Sequence, residues 1–497
     1  MKKETTKKQK HIGQVFTPDY IVEAMLDYCG YSGPNILKKH FIDNSCGDGA
    51  FLCRAVARYC EVADRQGQSL HETRQDLEHY FHGIDTDEIA YKGCLDNLDR
   101  VTSEFQIKDV RWDLYNQSAL TMNKFHGKMD FVVGNPPYVR VHNLDESYNE
   151  VKQYRFANGG MTDLYLAFFE LGFNMLSETG KLCYITPSSW LNSVAALNMR
   201  QYIMQYQNLV SLTDLGHFQP FEHVTAYTII SLFAKNKHDN HFDYYQYNGK
   251  AHQRDFVENL TLDECYINNY FYLSNKKHLA ELRRLKTSPI HKYVTVKNGF
   301  ATLADEVFIG PDIPDSSITI QTLKASTGKW YKCLFPYNEK GKLLSKDVIF
   351  ANPVVAAHFE AHKGDLLKGR PEYPNWYEFG RTQALLDVSR DKLAMNCLCR
   401  TEKDFKLELV KKGEGIYSGL YIITDYNIPF DTLKSIIASP DFVEYVKMLK
   451  KYKSGGYYTY NTKDVEQYIN SYLTYNSNIK YELINKPRVS QGYLELF

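Results

Sequence analysis

The sequence predicts an α/β fold: a mostly parallel sheet wound with helices, followed by a second domain of mixed α+β character. Three observations predict it. Short apolar strand segments alternate with helical ones up to about residue 240, the pattern of parallel strands joined by right-handed crossovers. The motif-bearing strand segments run into turns rich in glycine, proline or acids, where such sheets hold ligands. After residue 290 the alternation gives way to short strands, turns and two Pro/Gly-rich loops, GPDIPD and KGRPEYPNW.

The elements follow in order. Ile21, Val22, Met25, Leu26 and Cys29 recur at helical spacing behind Thr17-Pro18-Asp19, a helix start. HFIDNSCGDGAFLCRAVARYC reads as strand, glycine turn and helix, and YFHGIDTDEIAYKGCLDNL repeats the unit with an acidic turn. MDFVVGNPPYV is a third strand ending in a proline-rich loop. DLYLAFFELGFNML is an apolar helix, GKLCYITPSSWL a fourth strand, and LVSLTDLGHF and AYTIISLFAK supply two more. The expected organisation is a basic tail at 1–10 and a catalytic domain at 11–245. A linker at 246–290 carries an amphipathic helix (274–287), and the second domain occupies 291–497.

Composition narrows the function classes. Of 497 residues, 43% are hydrophobic and 24% charged, as in a folded globular chain. No apolar run reaches the roughly 18 residues of a membrane span, and no apolar stretch follows MKKETTKKQK, so neither a membrane nor a secretion route is expected. A cytoplasmic protein is expected. The ten cysteines form no C-x-x-C pair and read as reduced thiols, with no zinc or other metal site. Formal net charge is zero, yet residues 11–240 carry −9, the ten-residue tail +4 and residues 241–497 +5. An acidic first half and a basic second half suggest two jobs, with a polyanion met by the second half and the tail.

The strongest chemical signal is Asn135-Pro136-Pro137-Tyr138, directly after the strand ending at Gly134. Two prolines rigidify the loop. The Asn135 side-chain carbonyl and the Pro136 backbone carbonyl then form two acceptors for one planar amino group. As that nitrogen pyramidalises, its lone pair becomes available to an electrophilic methyl. Tyr138 offers a ring on which a planar base can stack. The second signal is Asp43-Asn44-Ser45-Cys46-Gly47-Asp48-Gly49, between strand and helix. Its glycines permit close backbone approach, but no Gly-Lys-Ser/Thr follows, so it is not a phosphate loop. Asp43 suits a cationic amino-acid moiety, and Asp85 ends the next strand where a carboxylate accepts from ribose hydroxyls.

On these residues the chain resembles the gamma-class N6-adenine DNA methyltransferases, both the TaqI type and the methyltransferase part of the Eco57I-like family. The resemblance implies a Rossmann-like S-adenosylmethionine-dependent methyltransferase domain and a C-terminal target-recognition domain. It implies that Gly13-Gln14-Val15-Phe16-Thr17-Pro18 closes over the methionine part of the cofactor, with Asp43, Ser45 and Gly47 in the glycine loop and Asp85 on the ribose. Asn135, Pro136, Pro137 and Tyr138 become the catalytic loop, and Phe168 lies near the cofactor adenine. Phe221 becomes the second aromatic across the flipped base from Tyr138, with Phe218 as the alternative. One departure is plain: Ser118 stands where the family has an acid that contacts the cofactor's adenine amino group.

In the second domain, Trp376-Tyr377-Glu378-Phe379-Gly380-Arg381-Thr382-Gln383 resembles a pattern of the family's recognition domains. Arg381 and Gln383 are suited to guanine and adenine edges; a structural turn with Arg381 on a local acid or a phosphate is the competing reading. Lys450, Lys451 and Lys453 precede a glycine-rich, aromatic-tipped loop with Tyr457, suited to phosphate contact. The implied activity is site-specific adenine methylation of double-stranded DNA by a monomer, as the modification half of a restriction–modification system with a separately encoded nuclease. Other readings are N4-cytosine methylation, methylation of RNA or of protein glutamine, and a catalytically silent DNA-binding module.

Overall fold

The computed structural model describes residues 16–140, 148–159, 162–221, 226–368, 374–476 and 481–484. The chain divides into two compact units, Met1–Arg283 and Arg284–Phe497.

The first unit is built on a nine-stranded sheet. Strands β1 (Phe41–Asp43), β2 (Phe81–Asp85), β3 (Asp113–Asn116), β4 (Met129–Gly134) and β5 (Leu176–Pro187) lie parallel in the order β3-β2-β1-β4-β5. Beyond them come β6 (Leu209–Asp214) and β7 (Thr228–Ala234), with β7 antiparallel between β5 and β6. Strand β8 (His241–Asn248) runs parallel to β6, and β9 (Gln253–Thr261) antiparallel to β8 closes the edge. The chain winds outward from β1 to β2 and β3, then returns to β4 on the other side. That reversal opens a crevice at the carboxyl ends of β1 and β4.

Helices cover the sheet because their apolar residues recur at the helical period. In α1 (Asp19–Tyr28) the buried side chains are Ile21, Val22, Met25 and Leu26. In α2 (Ala50–Arg65) Phe51, Leu52, Ala55, Val56, Tyr59 and Cys60 are buried. Replacing a ring such as Phe51 by alanine would cost about 3–5 kcal/mol. Helix α3 (Leu70–Tyr80) starts at a Ser69–Glu72 capping box. Helix α4 (Glu88–Glu104) starts at Asp87, whose carboxylate accepts from Ile89 N and Ala90 N. Helix α5 (Leu164–Met175) lacks a polar stripe and is almost wholly buried.

A polar chain ties the amino ends of three strands, opposite the crevice. His40 Nδ1 lies 2.9 Å from His82 Nε2, and His82 Nδ1 lies 2.7 Å from Asp113 Oδ2. Lys124 donates to the same carboxylate at 2.7 and 2.9 Å.

The sheet runs further than the sequence suggests. Strands β8 and β9 place residues 241–261 in it, and the first unit continues to Arg283. Much of the segment expected as a linker (246–290) is therefore folded structure. The helix expected at 274–287 forms over Lys276–Thr287.

The second unit holds smaller sheets. Val294–Asn298, Leu420–Thr424, Lys392–Met395 and Leu407–Val410 make an antiparallel four-stranded one. Ile309–Gly310, Lys329–Leu334, Thr319–Lys324 and Gly415–Tyr417 make a mixed one. Helix Thr462–Tyr475 braces the first: Asn470 Oδ1 accepts from Tyr293 N and Val294 N, each at 2.9 Å. A core on the mixed sheet includes Phe300, Phe308, Phe335, Trp376 and Phe379. No helix of the described residues is long and apolar enough to cross a membrane.

Candidate active site

Three strand ends converge on the crevice. Asp43, the last residue of β1, is 1% exposed. Its Oδ1 accepts from Ser45 N at 3.0 Å. Burial pushes its carboxyl up to about 8, against the pull of the Ser45 hydrogen bond and with help from nearby Asp85. Gly134, the last residue of β4, makes the room: a Cβ there would lie 2.6 Å from Asp43 Oδ1.

The turn after β1 is shaped by two left-handed glycines, Gly47 (φ 54°) and Gly49 (φ 91°). A side chain at Gly49 would also meet Cys94 Sγ at 2.7 Å. Gly47 N donates to Asp85 Oδ2 at 2.8 Å, which couples the glycine loop to the end of β2. Asp85 Oδ1 accepts from Asp87 N at 2.8 Å. Burial raises the Asp85 carboxyl, partly offset by these backbone donors. The carboxylate retains acceptor capacity beyond these backbone bonds.

The loop after β4 is held from both sides. Asn135 Nδ2 donates to Thr17 Oγ1 at 3.1 Å, and Ser45 Oγ lies 3.5 Å from Asn135 O. The first contact sets the amide nitrogen against Thr17 and leaves Oδ1 as the acceptor end. Thr17 is buried, and Pro18 precedes α1 as its N-cap. Phe16 is exposed, and Gly13–Val15 of the same motif lie outside the described residues, as does the 1–10 tail. Tyr138 OH donates to Ile185 O on β5 at 3.1 Å. Its ring meets Phe221 edge to face, with centroids 6.1 Å apart and planes at 70°. A base stacked between them needs near-parallel rings, so one ring must turn. Phe218 packs instead on Tyr247 and Tyr20. Residues 222–224 lie outside the described residues. Phe168 is buried on α5.

Ser118 is not alone at the position where an acid was expected. Its Oγ donates to Glu150 Oε2 at 2.6 Å. Glu150 comes from a short helix, Tyr148–Lys152. Tyr154 OH and Gln153 Nε2 fasten the segment behind it to Leu120 O, at 2.7 and 3.0 Å. Asn116 Nδ2 donates to Asp85 O at 3.0 Å, so this turn adjoins the end of β2.

In the second unit the expected contact residues divide. Arg381 is exposed, while its backbone N–H is bound to Ala301 O at 3.1 Å. Gln383 Nε2 donates to Gly299 O at 2.6 Å. Lys451 pairs with the buried Asp464 at 2.5 Å. Lys450 is half-buried in a left-handed turn (φ 53°), and Lys453 is exposed. Tyr457 stacks with Arg400, whose guanidinium carbon is 4.2 Å from the ring centroid.

Residues 59–221 match the family described as Eco57I restriction-modification methylase. Type II methyltransferase M.BstVI of Geobacillus stearothermophilus is 29% identical over 290 residues, covering 55% of this chain and 50% of that protein. Type II restriction enzyme and methyltransferase RM.Eco57I of Escherichia coli is 24% identical, covering 78% of this chain and 49% of the relative. The chain thus spans about half the length of these curated relatives. Among solved structures, the Type IIL restriction-modification enzyme MmeI in complex with DNA superposes with a TM-score of 0.63 at 15% identity, over 89% of this chain and 63% of that one. The likeness establishes the fold.

Two residues, one in each unit, escape sequence reasoning. Glu150 meets Ser118 across 32 residues of chain, which no local pattern reveals. Arg400 reaches Tyr457 across a strand pairing, Cys399 opposite Tyr458; two separated basic and aromatic residues carry no signal of being neighbours.

Proposed function

We propose that this protein is an S-adenosylmethionine-dependent DNA methyltransferase that modifies N6 of a flipped adenine, as the modification activity of a restriction–modification system. The observation that carries the reading is the joining of Asn135 to Thr17 and of Gly47 to Asp85 around the buried Asp43. The donor set fits the cofactor. Asp43 suits its ammonium group, Asp85 accepts from ribose hydroxyls, and the left-handed glycines let the backbone approach. Glu150, beside Ser118, supplies the acceptor for the cofactor's adenine amino group from a different element. When bound, S-adenosylmethionine supplies an electrophilic methyl on a sulfonium.

The chain's own part is positioning. Asn135 Oδ1 and the Pro136 carbonyl accept the two N–H groups of the target adenine and hold its nitrogen toward the methyl. Tyr138 and Phe221 receive the base once one ring has turned, at an unstacking cost of a few kcal/mol for the duplex. With the methyl supplied by S-adenosylmethionine, Asn135 Oδ1 and the Pro136 carbonyl would keep the amino group engaged while its nitrogen takes up the methyl, and the displaced proton would pass to water. Positioning and preorganised acceptors carry most of the catalysis. The second unit reads the duplex, with Arg381, Lys453 and the Arg400–Tyr457 pair on its surface. Sequencing that distinguishes modified bases, on DNA from cells expressing the protein, tests the reading. N6-methyladenine in one sequence context is the expected result; N4-methylcytosine, or unmodified DNA, contradicts it.

A further inference from the structure

The second unit carries an exposed leucine in a conformation that leucine avoids. Leu303 has φ 60°, the left-handed region that disfavours any residue with a Cβ. Its side chain is nevertheless 65% exposed, so no core packing holds it there.

Backbone pairing holds it. Gly380 N donates to Thr302 O at 2.8 Å, and Arg381 N donates to Ala301 O at 3.1 Å. Gln383 Nε2 adds its bond to Gly299 O at 2.6 Å. Residues 299–303 and 380–383 are thereby zipped together. Gly380 is obligatory at the crossing, since a Cβ there would lie 2.5 Å from Leu303 Cγ. A buried aromatic floor supports both segments: Phe379 packs on Phe308 at 5.0 Å and on Phe300 at 5.4 Å. A second left-handed non-glycine residue, Ala384 (φ 66°), follows directly. The pairing holds Leu303 against Gly380, one residue from the exposed Arg381, for which no ion pair is found among the described residues.

We infer that Leu303 and Arg381 form one DNA-contacting tip, with the leucine as its apolar member. Strained backbone persists where function selects it. Thymine methyls and unstacked base steps accept aliphatic side chains, and guanine edges and phosphates accept Arg. The two side chains therefore suit one groove of a duplex. The inference deepens the proposed function and rests on it for the choice of partner.

Leu303→Gly tests it, because glycine relaxes the backbone while removing the contact. Methyl transfer from labelled S-adenosylmethionine into unmethylated plasmid DNA, DNA binding by the full chain, and thermal unfolding are measured together. The expected result is a KM for DNA raised about tenfold with kcat and cofactor affinity unchanged, and a Tm that is not lowered. Arg381→Ala should raise the same KM and reduce the salt dependence of binding. A KM within twofold of the parent for Leu303→Gly, or a lowered Tm, overturns the tip. Should the parent transfer no methyl yet Leu303→Gly still weaken DNA binding, the proposed function falls and the tip stands. A parent that binds no DNA overturns the tip.

Discussion

Gly134 and Asp43 occupy each other's space: a Cβ on Gly134 would lie 2.6 Å from the Asp43 carboxylate oxygen. The end of β4 thus lacks a side chain so that the end of β1 can carry a buried acid. Gly134→Ala must push that carboxylate aside. The expected outcome is a loss of about 1–3 kcal/mol of stability from overpacking, with cofactor affinity reduced at least tenfold. Thermal unfolding and calorimetric titration with S-adenosylmethionine check it; unchanged affinity would detach Asp43 from the ligand.

Asp43 also predicts a proton count. Its carboxyl sits at about 8, chiefly through burial, so it is mostly neutral at pH 7. A cationic ligand favours the ionised form and lowers that value. Binding near pH 7 should therefore release close to one proton, and affinity should rise from pH 6 to pH 8. Titration in buffers of different ionisation enthalpy measures the release. Asp43→Asn should abolish it; equal release by that variant would assign the proton elsewhere.

Glu150 gives a third prediction. Glu150→Gln keeps the shape and can still bond Ser118, but it loses a pure acceptor. Cofactor affinity should fall about tenfold, while an analogue lacking the adenine amino group should bind parent and variant alike. Equal losses for both ligands would mean that Glu150 merely supports the loop.

The chain at the other end of the sheet predicts acid sensitivity. Burial holds His40 down at about 4, with His82, His79 and Lys128 adding to the shift and Asp130 opposing it. Burial likewise lowers His82, against its bond to Asp113. Below the ordinary histidine value of about 6.5, the unfolded chain takes up a proton that folded His40 refuses. This stability is complete above that value and is lost as pH falls toward 4. Asp43 works oppositely in the same range, so the comparison is with a variant. His40→Gln should lose less Tm than the parent between pH 7 and pH 5; parallel curves would remove His40 as the cause.

How much of this was legible depends on where the signal resides. Phe131–Val133 reads as a strand because a parallel strand covered on both faces is continuously apolar. The glycine turn (43–49) and the Asn135 loop (135–138) are each contiguous in sequence, so each reads as a motif, whereas the bonds that join them to Thr17 and Asp85 do not. Strands β8 and β9 were missed because they lie at the wet edge: Phe242, Tyr244 and Tyr247 are buried, with exposed or half-buried positions between them. In the second unit, Gln383 and Lys451 have the chemistry of DNA contacts, and the fold also gives them partners in Gly299 and Asp464 that lie far off in sequence or carry no local pattern. Leu303 was invisible for the opposite reason, since an isolated leucine in a loop says nothing of its backbone angle.

The central claim is that Asn135, oriented by Thr17, presents the acceptor that makes an adenine amino group react. The most direct measurement is nucleoside analysis of plasmid DNA incubated with S-adenosylmethionine and either the parent or Asn135→Ala. The account predicts N6-methyladenine from the parent and none from the variant, with cofactor and DNA binding largely retained by both. Near-normal methylation by Asn135→Ala would contradict it.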